Sequence, residues 1–587
     1  MEKTKFELAI DFIKSSIIDS EWAHKVYLVG GCVRDELMGL PIKDIDLMVD
    51  YLDGGLKFAE WMTTTFPNTC KNLVLYPRFG TSKFSIIVNN ETVDIECVMP
   101  RGEKYDEESR KPIEVKYASL KEDALRRDFT VNALYKDIID NKIIDPLERG
   151  VNDIKNNILN TTSCPEDIFE EDPLRMLRAV RFYCCKHFDL TDNLISGIEY
   201  SARYLHKISV ERINDEFSKI LCSDRPIDGI NLLVETGLMT FIIPEICDTC
   251  GFNQYSKYHD KDVYEHTLNV VNLTKPVLTH RLAALLHDIA KPYYHQDLYE
   301  DGKIVRRQFI GHDIKSAEYA ENILKKLRYS NDIIDEVCFA IKHHMILKQF
   351  DVNNTKESTC RRIYRNIFKY YDTTLDLIDA DNKSHASLYN KPNQVSEFVK
   401  YVKIIGIKPE KRKLPINGND VIEYFNIKPG PLVKKILDDA ENVYDEYPNI
   451  DKSSMLEKLD YRFDIEKIDI INWKTGDVIF SYTCEDNTIG KTLEEAVKQG
   501  VNLIYADLRD IEITCANLKG INLSYARLDS SIIDKCDLSY STLIGTSFNY
   551  TKIIDTKLDN SYGGKNFSLD LRYSNYFLDG EGFLKLE

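Results

Sequence analysis

The chain has 587 residues, 43% of them hydrophobic and 29% charged, and a formal net charge of −18. That length excludes a single small module and accommodates three or four domains with separate cores, while the composition excludes wholesale disorder. The acidic balance excludes broad, sequence-blind adhesion to nucleic acid but leaves an RNA substrate open. Acids interrupt the apolar positions of the first ten residues and no long apolar run follows, so neither a signal peptide nor a membrane span is expected. The fourteen cysteines form no regular framework and read as the reduced thiols of a cytoplasmic protein.

Val26-Tyr27-Leu28-Val29 reads as a strand and runs into Gly30-Gly31, with Arg34 close behind. A glycine pair at a strand end lets backbone N–H groups approach an anion, and an arginine beside it supplies a fixed fork for phosphate oxygens. In Lys43-Asp44-Ile45-Asp46-Leu47-Met48-Val49 the two aspartates stand two apart in an apolar strand, so both carboxylates project from one face. Two hard oxygen ligands beside a triphosphate cradle suit magnesium and the transfer of a nucleotidyl group.

Gly30-Gly31-x-Val33-Arg34-Asp35 followed by Asp44-x-Asp46 resembles the head of class II tRNA nucleotidyltransferases, the CCA-adding enzymes of the polymerase β superfamily. The resemblance implies catalysis by Asp44 and Asp46 on Mg2+. It also implies a third carboxylate on the strand Thr92–Val98, where Asp94 is the candidate and Glu96, on the same face, the reserve. Arg126-Arg127-Asp128-Phe129-Thr130-Val131-Asn132-Ala133 matches the family's Arg-Arg-Asp-Phe-Thr-x-Asn-Ala motif. There the arginines hold triphosphate and Asp128 accepts a ribose hydroxyl. Asp145-Pro146-Leu147 to Gly150 marks a hinge.

Beyond the hinge, Glu171-Asp172-Pro173-Leu174-Arg175 resembles the family's Glu-Asp-x-x-Arg motif and predicts a helix with Asp172, Arg175 and Arg178 on one face. In the family an Asp and an Arg present a protein edge to the incoming base, so Asp172 and Arg175 are expected to select CTP and ATP without a nucleic acid template. From Pro244 onward the series His266, His287-Asp288, His312, His343-His344 and Asp381 appears in helical surroundings. Its order resembles the HD phosphohydrolase domain, which implies a divalent transition metal held by His266, His287, Asp288 and Asp381, with His312 and His343 available for a second ion.

Leu503, Leu508, Ile513 and onward to Leu558 recur every five residues, with small residues such as Ala506, Ala516, Ala526 and Ser541 two places before most of them. The pattern looks like a pentapeptide repeat. The whole is therefore expected to be a multidomain α/β, α and β protein. A polymerase β-like nucleotidyltransferase head (1–155), a helical neck (156–240), an HD body (241–400), a helical tail (401–450) and a joint (451–500) precede a right-handed quadrilateral β-helix (501–587). The expected partners are tRNA, CTP and ATP, with an unknown protein for the repeat and no membrane. Poly(A) polymerase, a CC- or A-adding specialist, and a non-catalytic scaffold built on the repeat are the alternatives.

Overall fold

The computed structural model describes residues 3–106, 109–258, 260–407, 413–463, 465–564 and 576–586. Residues 1–352 with 366–401 form one compact unit, and 353–365 with 402–587 form another.

The first unit opens with helix α1 (Lys5–Ile17), whose Thr4 and Glu7 cap each other's backbone. Strand β1 (Val26–Val29), helix α2 (Gly31–Leu37), strand β2 (Ile45–Val49) and helix α3 (Gly54–Thr65) follow, then β3 (Cys70–Tyr76), β4 (Thr81–Val88) and β5 (Glu91–Val98). Asn89 and Asn90 both take positive φ between β4 and β5, the conformation a two-residue hairpin turn requires. Strands β6 (Arg101–Asp106) and β7 (Ser109–Tyr117) pair with each other outside the main sheet. Strands β8 (Tyr135–Asp137) and β9 (Ile143–Ile144) complete a seven-stranded sheet in the order β3-β4-β5-β2-β1-β8-β9. Strands β2 and β5 run parallel with Asp46 opposite Glu96, so the register places a third acid beside Asp44 and Asp46.

Helices α4 (Leu120–Leu125) and α5 (Gly150–Lys155) are short; α6 (Pro165–Glu171), α7 (Leu174–Lys186), α8 (Asp192–Ser201) and α9 (Val210–Leu221) follow. The predicted continuous helix through Glu171 and Arg178 is broken. Asp172 caps α6 in extended conformation (φ −139°, ψ 95°) and Pro173 starts α7, because the proline ring pushes the preceding residue out of the helical region. Asp172 therefore does not share a helical face with Arg175 and Arg178. One hydrophobic cluster runs through this unit from Ala9 to Ala380.

In the second unit, helices Gly418–Phe425, Pro431–Glu446 and Lys452–Asp460 close around Val421, Ile436, Val443 and Leu459. A separate cluster, from Ile470 to Leu584, fills the repeat. There Glu512–Thr514, Ile532–Asp534 and Lys552–Ile554 form a parallel ladder, and bridges such as Asn522↔Thr542 keep the same register of twenty residues seen between Ser541 and Ser561. Every fifth residue from Tyr505 to Asn560 has positive φ, so the chain turns four times per register step. The small residues two places before each leucine are buried, and the hydroxyls of Ser531, Thr546 and Ser561 donate to main-chain carbonyls of the preceding step. A helix, Ile489–Lys498, sits at one end through Glu494 and Asn517, and the hairpin carrying Leu584 covers the other.

The two clusters of the second unit share no residue. Leu528→Ala, at a fully buried position, should therefore weaken the repeat by about 2–5 kcal/mol and leave the helical unfolding step of residues 416–463 in place. Calorimetry in which both steps move together would show a single cooperative core instead.

Candidate active site

A cavity of about 570 Å3 lies between the sheet and α7. Gly30, Gly31, Arg34, Asp44, Asp46, Arg127 and Asp128 line it from the sheet side, and Arg178, Arg181 and Phe182 from α7. Gly30 has φ +62°, and a Cβ there would reach to 3.4 Å of Arg127 Nη1, so glycine keeps both the turn and the approach open. Arg34 donates through Nη1 to Asn132 (2.7 Å) and through Nε to Asp35 (2.8 Å), and its guanidinium lies 4.9 Å from the Phe182 ring. Lys186 closes this network on Asp35 at 3.1 Å. Of the predicted arginine pair, only Arg127 lines the cavity. Both arginines are held by fully buried Asp123, which accepts from Arg126 Nε (3.1 Å), Arg127 Nε (3.0 Å) and the Tyr135 hydroxyl (2.8 Å).

Asp128 accepts from Asn132 and the Phe129 amide on one oxygen and from Arg178 on the other, at 2.9 and 2.6 Å. Burial opposes its ionisation, but the Arg178 guanidinium and these hydrogen bonds hold the carboxyl down at about 2. It faces the cavity as a fixed anion whose oxygens already take four donors, so a further donor has to share one of them. For Asp46 the balance is reversed. Burial first, then the neighbouring carboxylates Glu96 and Asp44, push it up to about 6. A carboxyl raised by burial and by two neighbouring acids is one that a divalent cation relieves. Cys32 fixes their geometry, donating to the Asp44 carbonyl (2.9 Å) and accepting from the Asp46 amide (3.3 Å).

The third acid beside Asp46 is Glu96, the reserve candidate, and not Asp94. Asp94 lies two residues along β5, opposite Ser85, where Ser85 and Lys83 hold its carboxyl below the usual range. The expected base-reading residues also lie elsewhere, since neither Asp172 nor Arg175 lines the cavity. Asp172 is paired with Arg212 at 3.1 Å, and Arg175 donates to Glu171 (2.7 Å) and the Arg126 carbonyl (2.7 Å). Sequence reasoning passed over Phe182 and Lys186, although their four-residue spacing from Arg178 puts all three on one face of α7.

The histidine and aspartate series forms a second site in the same unit. His266 comes from helix Val263–Leu273, His287 and Asp288 from the end of helix Leu278–Leu286, His312 from the start of His312–Lys326, and Asp381 from Tyr371–Ser384. Two groups result, His266, His287 and Asp381, and Asp288, His312 and His344, each with ligand atoms within 4.8 Å of one another. His344 therefore replaces the predicted His343. The latter ends its helix with its ring 4.2 Å from Phe339 and Nδ1 bonded to the Phe339 carbonyl. Neighbours in a helix point about 100° apart, so a His-His doublet does not reveal which one faces inward. His287 Nε2 lies 3.2 Å from Asp288 Oδ2 and His312 Nε2 3.5 Å from Asp288 Oδ1, and burial pushes His344 down to about 4, leaving it neutral. Imidazole nitrogens and carboxylate oxygens gathered this closely inside the protein fit a bound divalent metal. The adjoining cavity, about 690 Å3, is also lined by His385, which the sequence reading omitted.

Because Asp46 titrates near 6, its affinity for a divalent cation should climb between about pH 5 and pH 7 as the competing proton leaves. Between about pH 4 and pH 6 the metal-free protein should lose stability with rising pH, since the folded carboxyl keeps its proton after the unfolded one has lost it. Calorimetric Mg2+ titrations that are flat from about pH 5 to about pH 7 would contradict the assignment of Asp46.

Residues 26–160 match the family model of the poly A polymerase head domain, 187–250 one for an RNA- and SrmB-binding site of polymerase A, 310–453 one for tRNA nucleotidyltransferase domain 2, and 511–549 pentapeptide repeats. A CCA-adding enzyme of Ligilactobacillus salivarius is 28% identical over 423 residues, 72% of this chain and 88% of that protein. A multifunctional CCA protein of Neisseria meningitidis is 28% identical over 382 residues, 63% of this chain and 84% of its own. The fold resembles the Bacillus stearothermophilus CCA-adding enzyme solved with CTP, with a TM-score of 0.54 at 23% identity over 78% of this chain and 98% of that one. Motifs and relatives agree that the chain is similar to the CCA-adding enzymes, with pentapeptide repeats behind the shared part.

Proposed function

We propose that this protein is a template-independent nucleotidyltransferase that builds or repairs the 3′-terminal CCA of tRNA from CTP and ATP. The observation that carries the reading is one cavity in which the acids Asp44 and Asp46 face Arg34, Arg127 and Arg178. Asp44 and Asp46 would hold Mg2+, which supplies Lewis acidity at the triphosphate and lowers the pKa of the attacking hydroxyl. Arg34 and Arg127 bind phosphate oxygens, and Asp128, kept ionised by Arg178, accepts a ribose hydroxyl. The RNA 3′-oxygen forms its bond to the α-phosphorus as the bond to pyrophosphate breaks, and Glu96, beside Asp46, takes the hydroxyl proton. For Asp172 and Arg175 to read the base, the nucleotide has to displace Arg212 and Glu171. The Asp172–Arg212 pair is partly exposed and contributes only about 0–1 kcal/mol, whereas Arg175 is more buried and also donates to the Ile168 and Arg126 carbonyls.

The histidine and aspartate cluster reads as an HD-type phosphohydrolase site for divalent transition metal, with Asp288 between the two ligand groups. The repeat reads as a right-handed quadrilateral β-helix, supported by the register of twenty and by positive φ at every fifth residue, and as a docking module for another protein. Among the described residues no helix is long and apolar enough to cross a membrane. Action in the cytoplasm fits a chain whose cysteines are all free thiols.

On a tRNA lacking CCA, CTP alone should give two additions and CTP with ATP three, while Asp44→Ala should abolish addition. A long adenosine ladder from ATP alone would establish a poly(A) polymerase, and a halt at two additions with both nucleotides a CC-adding specialist.

His344→Ala should lower bound transition metal in the purified protein, and His343→Ala should not. The reverse pattern in elemental analysis would overturn the ligand assignment.

A further inference from the structure

The cavity beside the histidine and aspartate cluster carries polar groups that a metal does not use. Gln394 donates from Nε2 to the carbonyls of Leu347 (2.8 Å) and Phe350 (3.0 Å), and because a carbonyl only accepts, its Oε1 has to face the other way. There it accepts from Asn382 Nδ2 at 3.0 Å, which leaves Asn382 Oδ1 without a donor among the described residues. Both amides are more than nine-tenths buried and both line the cavity. The relay thus fixes a single acceptor beside the metal ligand Asp381, the preceding residue in the chain. The lining is also cationic. In the hairpin of strands Gln296–Glu300 and Lys303–Gln308, Arg307 is held by Asp297 through bonds of 2.6 and 2.8 Å, whereas the guanidinium of exposed Arg306 has no partner among the described residues. The ammonium of exposed Lys348 has none either, and Lys391 donates to the Lys348 carbonyl at 3.0 Å. Among the described residues of the lining, Asp313 is the one acid besides Asp288 and Asp381.

We propose that this cavity binds a free nucleotide carrying two separate phosphates, one at the metal ligands and one on Arg306 and Lys348, with a donor of the nucleoside on Asn382 Oδ1. The proposal rests on the phosphohydrolase reading and deepens it by naming the substrate class. A volume of about 690 Å3 is that of a small-ligand site. A lone phosphate is fully occupied at the metal and leaves both cations unpaired, whereas a second phosphate gives them charge-assisted hydrogen bonds. Asn382 Oδ1 takes either the exocyclic amine of a base or a ribose hydroxyl, since each presents the donor that a buried acceptor lacks.

The test uses the full chain in EDTA, so that nothing is hydrolysed, and isothermal titration calorimetry. Adenosine 3′,5′-bisphosphate should bind at least about tenfold tighter than adenosine 3′-monophosphate, the effect of one charge-assisted contact. Arg306→Ala with Lys348→Ala should bring that ratio below about twofold and leave CTP binding as in the unaltered protein. Asn382→Ala should weaken both adenosine ligands alike, by about fivefold. Either the inosine or the 2′-deoxy counterpart of the bisphosphate should show the same loss, which tells a base amine from a ribose hydroxyl. The exposed cations keep the test open should Asn382→Ala fail to fold by circular dichroism. Equal affinity for mono- and bisphosphate, or a ratio that survives removal of both cations, would overturn the second-phosphate site. Full affinity for both counterparts would overturn the part given to Asn382, and tighter binding of a short RNA ending in a 3′-phosphate would overturn the free nucleotide as occupant. If the Mn2+-loaded protein hydrolyses neither adenosine 3′-monophosphate nor bis(p-nitrophenyl) phosphate, the phosphohydrolase reading falls. If it hydrolyses either one while mono- and bisphosphate bind equally, only the second-phosphate site falls.

Discussion

One helix face makes the site. Arg175, Arg178, Phe182 and Lys186 of α7 meet the Arg126 carbonyl, Asp128, Arg34 and Asp35 in turn. Without α7 the sheet would expose a strongly charged loop whose arginines and aspartates had water for partners. With it, the Arg178–Asp128 contact buries the carboxylate against a guanidinium that stays partly exposed, and each stabilises the charge of the other. Removing the arginine alone would leave a buried carboxylate unpaired, which is costly. The pair therefore positions the cavity walls more firmly than surface ion pairs do.

The cavity inverts the electrostatics of the chain. Arg34, Arg127, Arg178, Arg181, Lys186 and Lys219 line it against Asp44, Asp46 and Asp128, in a protein with a net charge of −18. Phosphate is attracted where its chemistry is required and repelled over the rest of the surface, which favours a specific substrate over loose adhesion. Asp44 and Asp46 share one wall, where burial first and then the neighbouring carboxylates raise Asp46, whereas Asp128 sits among donors and stays low. Two carboxylates in one cavity are thereby given different tasks by their surroundings.

The second cluster is built on the opposite principle. Its imidazoles and carboxylates are almost entirely buried, with Lys291 on Asp288 at 2.6 Å as the nearby cation. Such a concentration of polar atoms is expensive without a ligand. That expense is the physical argument for metal, independent of any likeness to other proteins.

The sequence by itself determined the elements whose signals are local. The glycine turn, the strand pair at Asn89-Asn90, the Arg-Arg-Asp octapeptide and the period of five each depend on residues adjacent in the chain. What it left open were choices between neighbours: Glu96 over Asp94, His344 over His343, Arg127 over Arg126 as the cavity residue, and Asp172 outside the helix that carries Arg175. Each depends on strand register, on helix rotation or on the break at Pro173, and these are settled by what the element packs against. Residue type and spacing specify which chemistry is present. Only tertiary packing decides which of two chemically equivalent side chains faces the cavity, because one step along a helix turns a side chain away, and two steps along a strand keep the face but carry the group past its neighbour.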